Sequence, residues 1–250
     1  MSLREHYEQL ADREIGGFVT SRVRKAAALF EKHLSRRRRL LDVGCGVGEV
    51  AAYLKATLGI REVYGVDIGQ SCVEAAATRG VSAHQCDLDS ASLPFGDGHF
   101  DAVFAGEVIE HLVKPDHLLQ EIRRTLTSDG ILVITTPNLA SWLNRLLLLF
   151  GWQPFETGTS ILYEVGRPGL LKLGEGGGMA GHLRLYTAGA LQDLLRAHGF
   201  NVLETAACPA REGERKPWPW PYAPLFLLDQ AITVRPSLGH RLVIAARPRR

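Results

Sequence analysis

Between Arg39 and Thr136 the chain alternates short, β-branched apolar runs with helical stretches, and nothing else in the sequence constrains the fold as tightly. Arg39–Val43 reads as a strand entering glycines, Glu49–Leu58 as a helix and Glu62–Asp67 as a second strand. Gln70–Arg79 follows as a helix and Ser82–Gln85 as a short third strand. A loop carrying Pro94 and Gly96 then leads to a strand over Phe100–Gly106. Pro115–Leu126 reads as a helix that ends at the turn Ser128-Asp129-Gly130, and Ile131–Thr136 as a strand stopped by Pro137. Such alternation specifies a mostly parallel sheet with helices on both faces, an α/β fold of Rossmann-like type.

The flanks are organised differently. Residues 3–34 read as one or two helices, so 1–38 is expected to be a helical cap on a core of 39–138. After Asn138 the alternation breaks. Residues 139–186 hold an amphipathic helix and the run Gly174-Glu175-Gly176-Gly177-Gly178, and a segment this long is expected to be a lid. Thr187–His198 is a helix with Thr187 as N-cap. Asn201–Ala206 and Arg241–Ala246 are the last strands, separated by a proline-alternating stretch, 217–222, that suits no regular element. The whole is expected to be a single domain, 1–250.

Net charge excludes one class of function. With 29 basic and 27 acidic residues the formal charge is +2, too small for a general nucleic-acid binder. Arg36–Arg39 is read as a solvated helix end leading into the first strand. The four cysteines form no C-x-x-C pair, and the charged first residues lack a leader's apolar core, so a cytoplasmic protein is expected. Leu139–Trp152 is the most apolar stretch, too short to span a bilayer. It contributes, with Trp218, Trp220 and Leu225–Leu228, to apolar surface read as packing or a homodimer contact in preference to membrane docking.

The chemistry begins at Leu40–Gly48, L-L-D-V-G-C-G-V-G. Gly44, Gly46 and Gly48 recur at every second position, so a ligand can approach the backbone where the strand turns into a helix. A dinucleotide fingerprint, G-x-G-x-x-G, would put its third glycine at position 49, which is Glu49. Asp67 ends the second strand, where a carboxylate can accept from both hydroxyls of a ribose. Asp87 follows the third, where it can accept from an adenine amine. Glu107 follows the fourth. All stand at the carboxyl ends of successive parallel strands, where open α/β sheets hold ligands.

Leu40–Asn138 thus resembles the class I S-adenosylmethionine-dependent methyltransferases. The resemblance implies a seven-stranded sheet whose last strand is antiparallel. It assigns Asp42, Gly44, Cys45, Gly46, Gly48, Asp67, Ile68, Asp87, Leu88 and Glu107 to S-adenosyl-L-methionine. Within that set, Gly44–Gly46 would meet the methionine part, Asp67 the ribose and Asp87-Leu88 the adenine, with Glu107 beside the sulfonium.

The acceptor side rests on Glu107-Val108-Ile109-Glu110-His111 and on His182. A hydroxyl acceptor must lose a proton to a general base or to a metal. If the segment from Glu107 is helical, Glu107 and Glu110 share a face with His111 beside them. His111 and His182 are the candidate catalytic residues, and Glu107, Glu110, His111 and His182 a candidate set for a divalent cation such as Mg. The pattern is similar to ubiquinone-pathway O-methyltransferases and to small-RNA 2′-O-methyltransferases. Trp142, Arg184 and Tyr186 are candidate acceptor contacts, and Trp152, Phe155 and Tyr163 offer further apolar walls. O-methylation of a small hydroxylated molecule (a phenol or quinol, a sugar, a natural-product intermediate) is the leading expectation. The alternatives are a membrane-surface lipid or quinone methyltransferase, an N-methyltransferase, the small-RNA enzyme with no nucleic acid otherwise expected, and a non-catalytic cofactor-binding scaffold.

Overall fold

A computed structural model describes residues 20–157, 159–160, 163, 165–168, 181–209 and 223–249. The elements are α1 (Ser21–His33), β1 (Arg39–Val43), α2 (Glu49–Leu58), β2 (Glu62–Asp67), α3 (Gln70–Thr78), β3 (Ser82–Gln85) and β4 (Phe100–Gly106). There follow α4 (Pro115–Thr125), β5 (Leu126–Pro137), α5 (Trp142–Leu149), α6 (Ala188–Ala197), β6 (Phe200–Cys208), α7 (Ala223–Ile232) and β7 (Arg241–Pro248). The first nineteen residues, the glycine run 174–178, and Trp218 and Trp220 lie outside the described residues.

The seven strands form one sheet in the order β3-β2-β1-β4-β5-β7-β6. β1 to β5 are parallel, and β7 runs antiparallel to both of its neighbours. This is the expected Rossmann-like sheet. Strand order reverses between β1 and β4, and a crevice opens at such a switch point beyond the strands' carboxyl ends. The glycine loop after β1 and Glu107 after β4 therefore converge on one place.

Both faces of the sheet are buried. Leu41, Val43, Val103, Ala105, Leu132 and Ile134 pack on one side, Leu40, Ala102, Phe104, Ile131 and Val133 on the other. The period of two along each strand sends neighbours to opposite faces. On the first side lies α4, which starts on Pro115, carries Asp116 in its first turn and ends on Arg123 and Arg124. That charge order complements the helix dipole. Its Leu118, Leu119 and Ile122 are fully buried, each contributing about 1.5–3 kcal/mol. On the second side α1 buries Val23, Ala26, Ala27, Leu29 and Phe30.

Two expectations need correction. Ser128-Asp129-Gly130 does not separate helix from strand: β5 starts at Leu126, and pairing with β4 jumps from Phe100–Leu126 to Ala102–Ile131. The turn-favouring residues 127–130 are accommodated as a bulge within the strand. The chain also holds a helix, α7, that follows the proline-rich stretch. Trp142 Nε1 donates to Asp229 Oδ1 at 2.7 Å and ties α5 to α7. Arg37 bonds Glu31 and the Leu58 carbonyl, and Arg39 bonds Glu62, so the arginine run anchors the entry to β1.

Leu149, Phe150, Leu227 and Val234 leave an exposed apolar surface. Among the described residues no helix is long and apolar enough to cross a membrane.

Candidate active site

The glycine loop is held from below. The Gly44 and Cys45 amides both donate to the Val66 carbonyl, at 2.8 and 3.0 Å. Gly44 has φ +69°, and a Cβ there would lie 2.5 Å from Val108 Cγ2. Gly48 has φ +82°, and a Cβ there would stand 2.9 Å from Ala76 Cβ and 3.0 Å from Ala76 Cα on α3. A side chain at position 48 thus meets both a strained backbone and the backbone of a helix. Gly48→Ala is expected to cost about 3 kcal/mol and to lower Tm by about 10 °C, read by calorimetry.

Asp67 sits half-buried at the end of β2, accepting from the Gly46 amide through Oδ2 and the Gly69 amide through Oδ1, both at 2.9 Å. Each oxygen keeps a second lone-pair direction, so the carboxylate is held rigid and can still accept two hydroxyls. Asp42 behaves differently. It is buried, with its carboxyl pushed well up by desolvation and then by the Asp67 charge, against a hydrogen bond from the Ala51 amide. That amide lies in α2, so Asp42 braces the turn beneath the glycines. Ile68 is half-buried, its carbonyl accepting from Gln85 Nε2. Asp87 accepts from the Asp89 amide and Ser90 Oγ, shaping a turn, while Leu88 is buried in the core. Cys45 is buried in the loop, its thiol pushed up by burial.

Beyond β4 the expected helix is absent. Glu107 has φ +57°, and only Ile109–His111 forms a single 3-10 turn. Glu107 and Glu110 therefore do not share a helical face, and Glu107 stands apart from the other three members of the four-residue candidate set. Glu107 turns away to accept from Thr135 Oγ1 at 2.9 Å and to pair with Arg241 and, at 3.4 Å, Arg22. Ligand atoms of Glu110, His111 and His182 lie within 4.8 Å of one another.

His182 arrives there because the chain returning from the insertion is pinned to the turn. The Leu183 and Arg184 amides donate to the Glu110 carbonyl, at 2.9 and 3.3 Å. Arg184 spends its guanidinium on the Leu112 and Val113 carbonyls. Tyr186 is buried and forms a bridge to Asn138. Arg184 and Tyr186 thus hold the segment in place, and Trp142 is committed to Asp229. Trp152 and Tyr163 are exposed, and Phe155 lies under Arg167 at 4.7 Å.

The rings of His111 and His182 stand 4.7 Å apart. His182 Nδ1 contacts the Glu156 carbonyl at 2.9 Å. A carbonyl only accepts, so Nδ1 carries the proton and Nε2 keeps a lone pair. Glu110 is fully buried and accepts from Thr136 Oγ1 at 3.0 Å. Burial first, and the Glu107 charge second, push its carboxyl well above the usual 4.5. A raised acid gives its full stability below pH 4.5 and loses it as pH rises through the folded value. Glu110→Gln keeps a neutral donating group, and is expected to raise Tm by about 5 °C at pH 8 while leaving it unchanged at pH 4.

Arg22, Glu156, His240 and Arg241 stand around this site without having been singled out from the sequence. They come from α1, the insertion and the start of β7, and only their folding together relates them.

A methyltransferase-domain family model matches residues 12–205, and the chain belongs to that family. It is 27% identical over 193 residues to a probable S-adenosylmethionine-dependent methyltransferase of Mycobacterium tuberculosis, covering 73% of this chain and 63% of that one. It is 35% identical over 102 residues to the 27-O-demethylrifamycin SV methyltransferase of Amycolatopsis mediterranei, covering 38% of this chain and 37% of the relative. The chain thus spans less than two thirds of the length of these curated relatives. Its fold is similar to that of a chain in the complex between the Haloferax volcanii Trm112 methyltransferase activator and a methyltransferase. That match has a TM-score of 0.66 at 18% identity and covers 100% of this chain and 98% of the other.

Proposed function

We propose that this protein transfers the methyl group of S-adenosylmethionine to a hydroxyl of a small molecule. Family membership supports the cofactor, as does the loop: at Gly46, φ +49°, the place of a Cβ is open, and Asp67 has spare acceptor capacity beside it. When bound, the cofactor supplies a methyl on a sulfonium, already activated for in-line displacement. Gly44, Cys45, Gly46 and Gly48 then let its backbone-facing side approach, and Asp67 takes the ribose hydroxyls. Asp87 and Leu88 border the adenine, Ile68 lies alongside the ribose, and Asp42 supports the loop from beneath.

What remains for the protein is to orient the acceptor and remove its proton. One observation carries the reading of a hydroxyl acceptor: the Nδ1 contact that leaves His182 Nε2 bare, beside His111 and the strand end. An alcohol or phenol needs such a base, whereas a neutral amine attacks with its own lone pair. His182 takes the proton, and His111 orients the acceptor oxygen. The match to a relative named for 27-O-demethylrifamycin SV agrees with an O-methyl product.

A divalent cation is the second reading, favoured by the approach of Glu110, His111 and His182 to within 4.8 Å. One carboxylate and two imidazoles suit a transition ion better than Mg. Incubation with S-adenosylmethionine and a panel of phenols, quinols, sugars and their amine analogues tests both. Release of S-adenosylhomocysteine with hydroxyl acceptors, undiminished by a chelator, supports the base. Turnover confined to amines would overturn it, and turnover lost to chelation and restored by metal would replace it with the cation.

A further inference from the structure

Among the described residues, two that are not glycine have φ in the left-handed region, Glu107 at 57° and Glu156 at 66°. A side chain makes that conformation costly, and it persists only where the surroundings hold it. The two residues lie on different segments, the loop after β4 and the insertion after α5. Both are held by the same guanidinium. Arg241, the first residue of β7, donates through Nη1 to Glu107 Oε2 and, at 3.2 Å, to Glu156 Oε2, and through Nη2 to Glu156 Oε1 at 3.0 Å.

Glu156 is gripped from a second side by His240 Nε2 at 3.1 Å. Its own carbonyl accepts from His182 Nδ1. One residue therefore ends an ion-pair chain with its side chain and meets the candidate base with its backbone. Burial would raise the Glu156 carboxyl, yet the hydrogen bond from His240 and the charge of Arg241 bring it down to about 2.

We propose that Arg241 and Glu156 form a clasp that ties position 156 to the end of the sheet and fixes His182 in the tautomer whose Nε2 is a base. Both are positioning residues, and the proposal rests on the reading of His182 as the base. The clasp acts by strain held in place: without the carboxylate, position 156 has no reason to keep its carbonyl aimed at Nδ1. His182 then becomes free to carry its proton on Nε2, where it can no longer accept one.

Glycine adopts φ +66° without penalty, so Glu156→Gly removes the carboxylate while leaving the local backbone geometry accessible. The test is long-range proton–nitrogen NMR on the full chain with nitrogen-15 histidine. In the native protein His182 is expected in the Nδ1–H form. In Glu156→Gly, with the circular dichroism unchanged, that population is expected to fall at least about twofold. Arg241→Lys keeps the charge but loses the planar fork that donates to both Glu156 oxygens, and is expected to give an intermediate loss. A native Nδ1–H signature in both variants would overturn the clasp, as would unfolding of both, which would make it a support of the fold alone. The base reading fails separately, by full turnover in His182→Ala, whatever the tautomer shows.

Discussion

Replacing Asp67 with alanine is expected to weaken binding of S-adenosylhomocysteine by about 100-fold. A rigid carboxylate that accepts two hydroxyls contributes two charge-assisted hydrogen bonds, each about 1.5–3 kcal/mol, part of which water recovers in the variant. Asp67 is pre-aimed by the amides of Gly46 and Gly69, so little ordering is spent when a ligand arrives. Asp67→Asn removes the charge while keeping one acceptor oxygen, which can still receive one of those two amides. It is expected to fall between the parent and the alanine variant in isothermal titration. Alanine affinity within twofold of the parent would remove Asp67 from the cofactor site.

Turnover is expected to fall by about 10²–10⁴-fold in His182→Ala, the usual range for loss of a general base. His111→Ala is expected to lose less, because it orients and does not take the proton. In both, the affinity for S-adenosylhomocysteine is expected to stay within about twofold, since neither imidazole belongs to the glycine loop or to the β2 end. Steady-state assays with any acceptor that the panel identifies, paired with titration, separate the two effects. A parallel loss of cofactor binding would mean that the histidines hold the fold of the loop and not the reaction.

The sheet was legible because β1, β2 and β4 are short, largely apolar runs closed by Gly or Asp, and such punctuation depends on neighbours in sequence. β2, β3 and β4 have the bounds that the pattern predicts. The start of β5 was not, because Leu126 pairs with Phe100 before the turn-favouring residues Ser128, Asp129 and Gly130, which bulge out of the ladder until Ile131 resumes it. The glycine loop and Asp67 were legible for the same local reason.

The acceptor side was legible only in part. His111 and His182 do meet, as the two conspicuous histidines suggested. The i, i+3 spacing of Glu107 and Glu110 implied a common face, but a positive φ at Glu107 breaks the helix before it starts. Glu107 is paired there with Arg241, which lies 134 residues from it and 85 from Glu156. No periodicity or spacing relates residues that far apart. Ion pairs of this kind are products of the folded sheet, and here they lie beside His111 and His182.

The central claim is that the loop after β1 and the acid after β2 hold S-adenosylmethionine and not a nicotinamide dinucleotide. Titrating the full chain with S-adenosylmethionine and, separately, with NAD tests it directly. Saturable binding of one equivalent of S-adenosylmethionine with a Kd on the order of 10 μM is predicted, with no heat from NAD over the same range. Saturable binding of NAD, or no binding of S-adenosylmethionine by the folded protein, would contradict it.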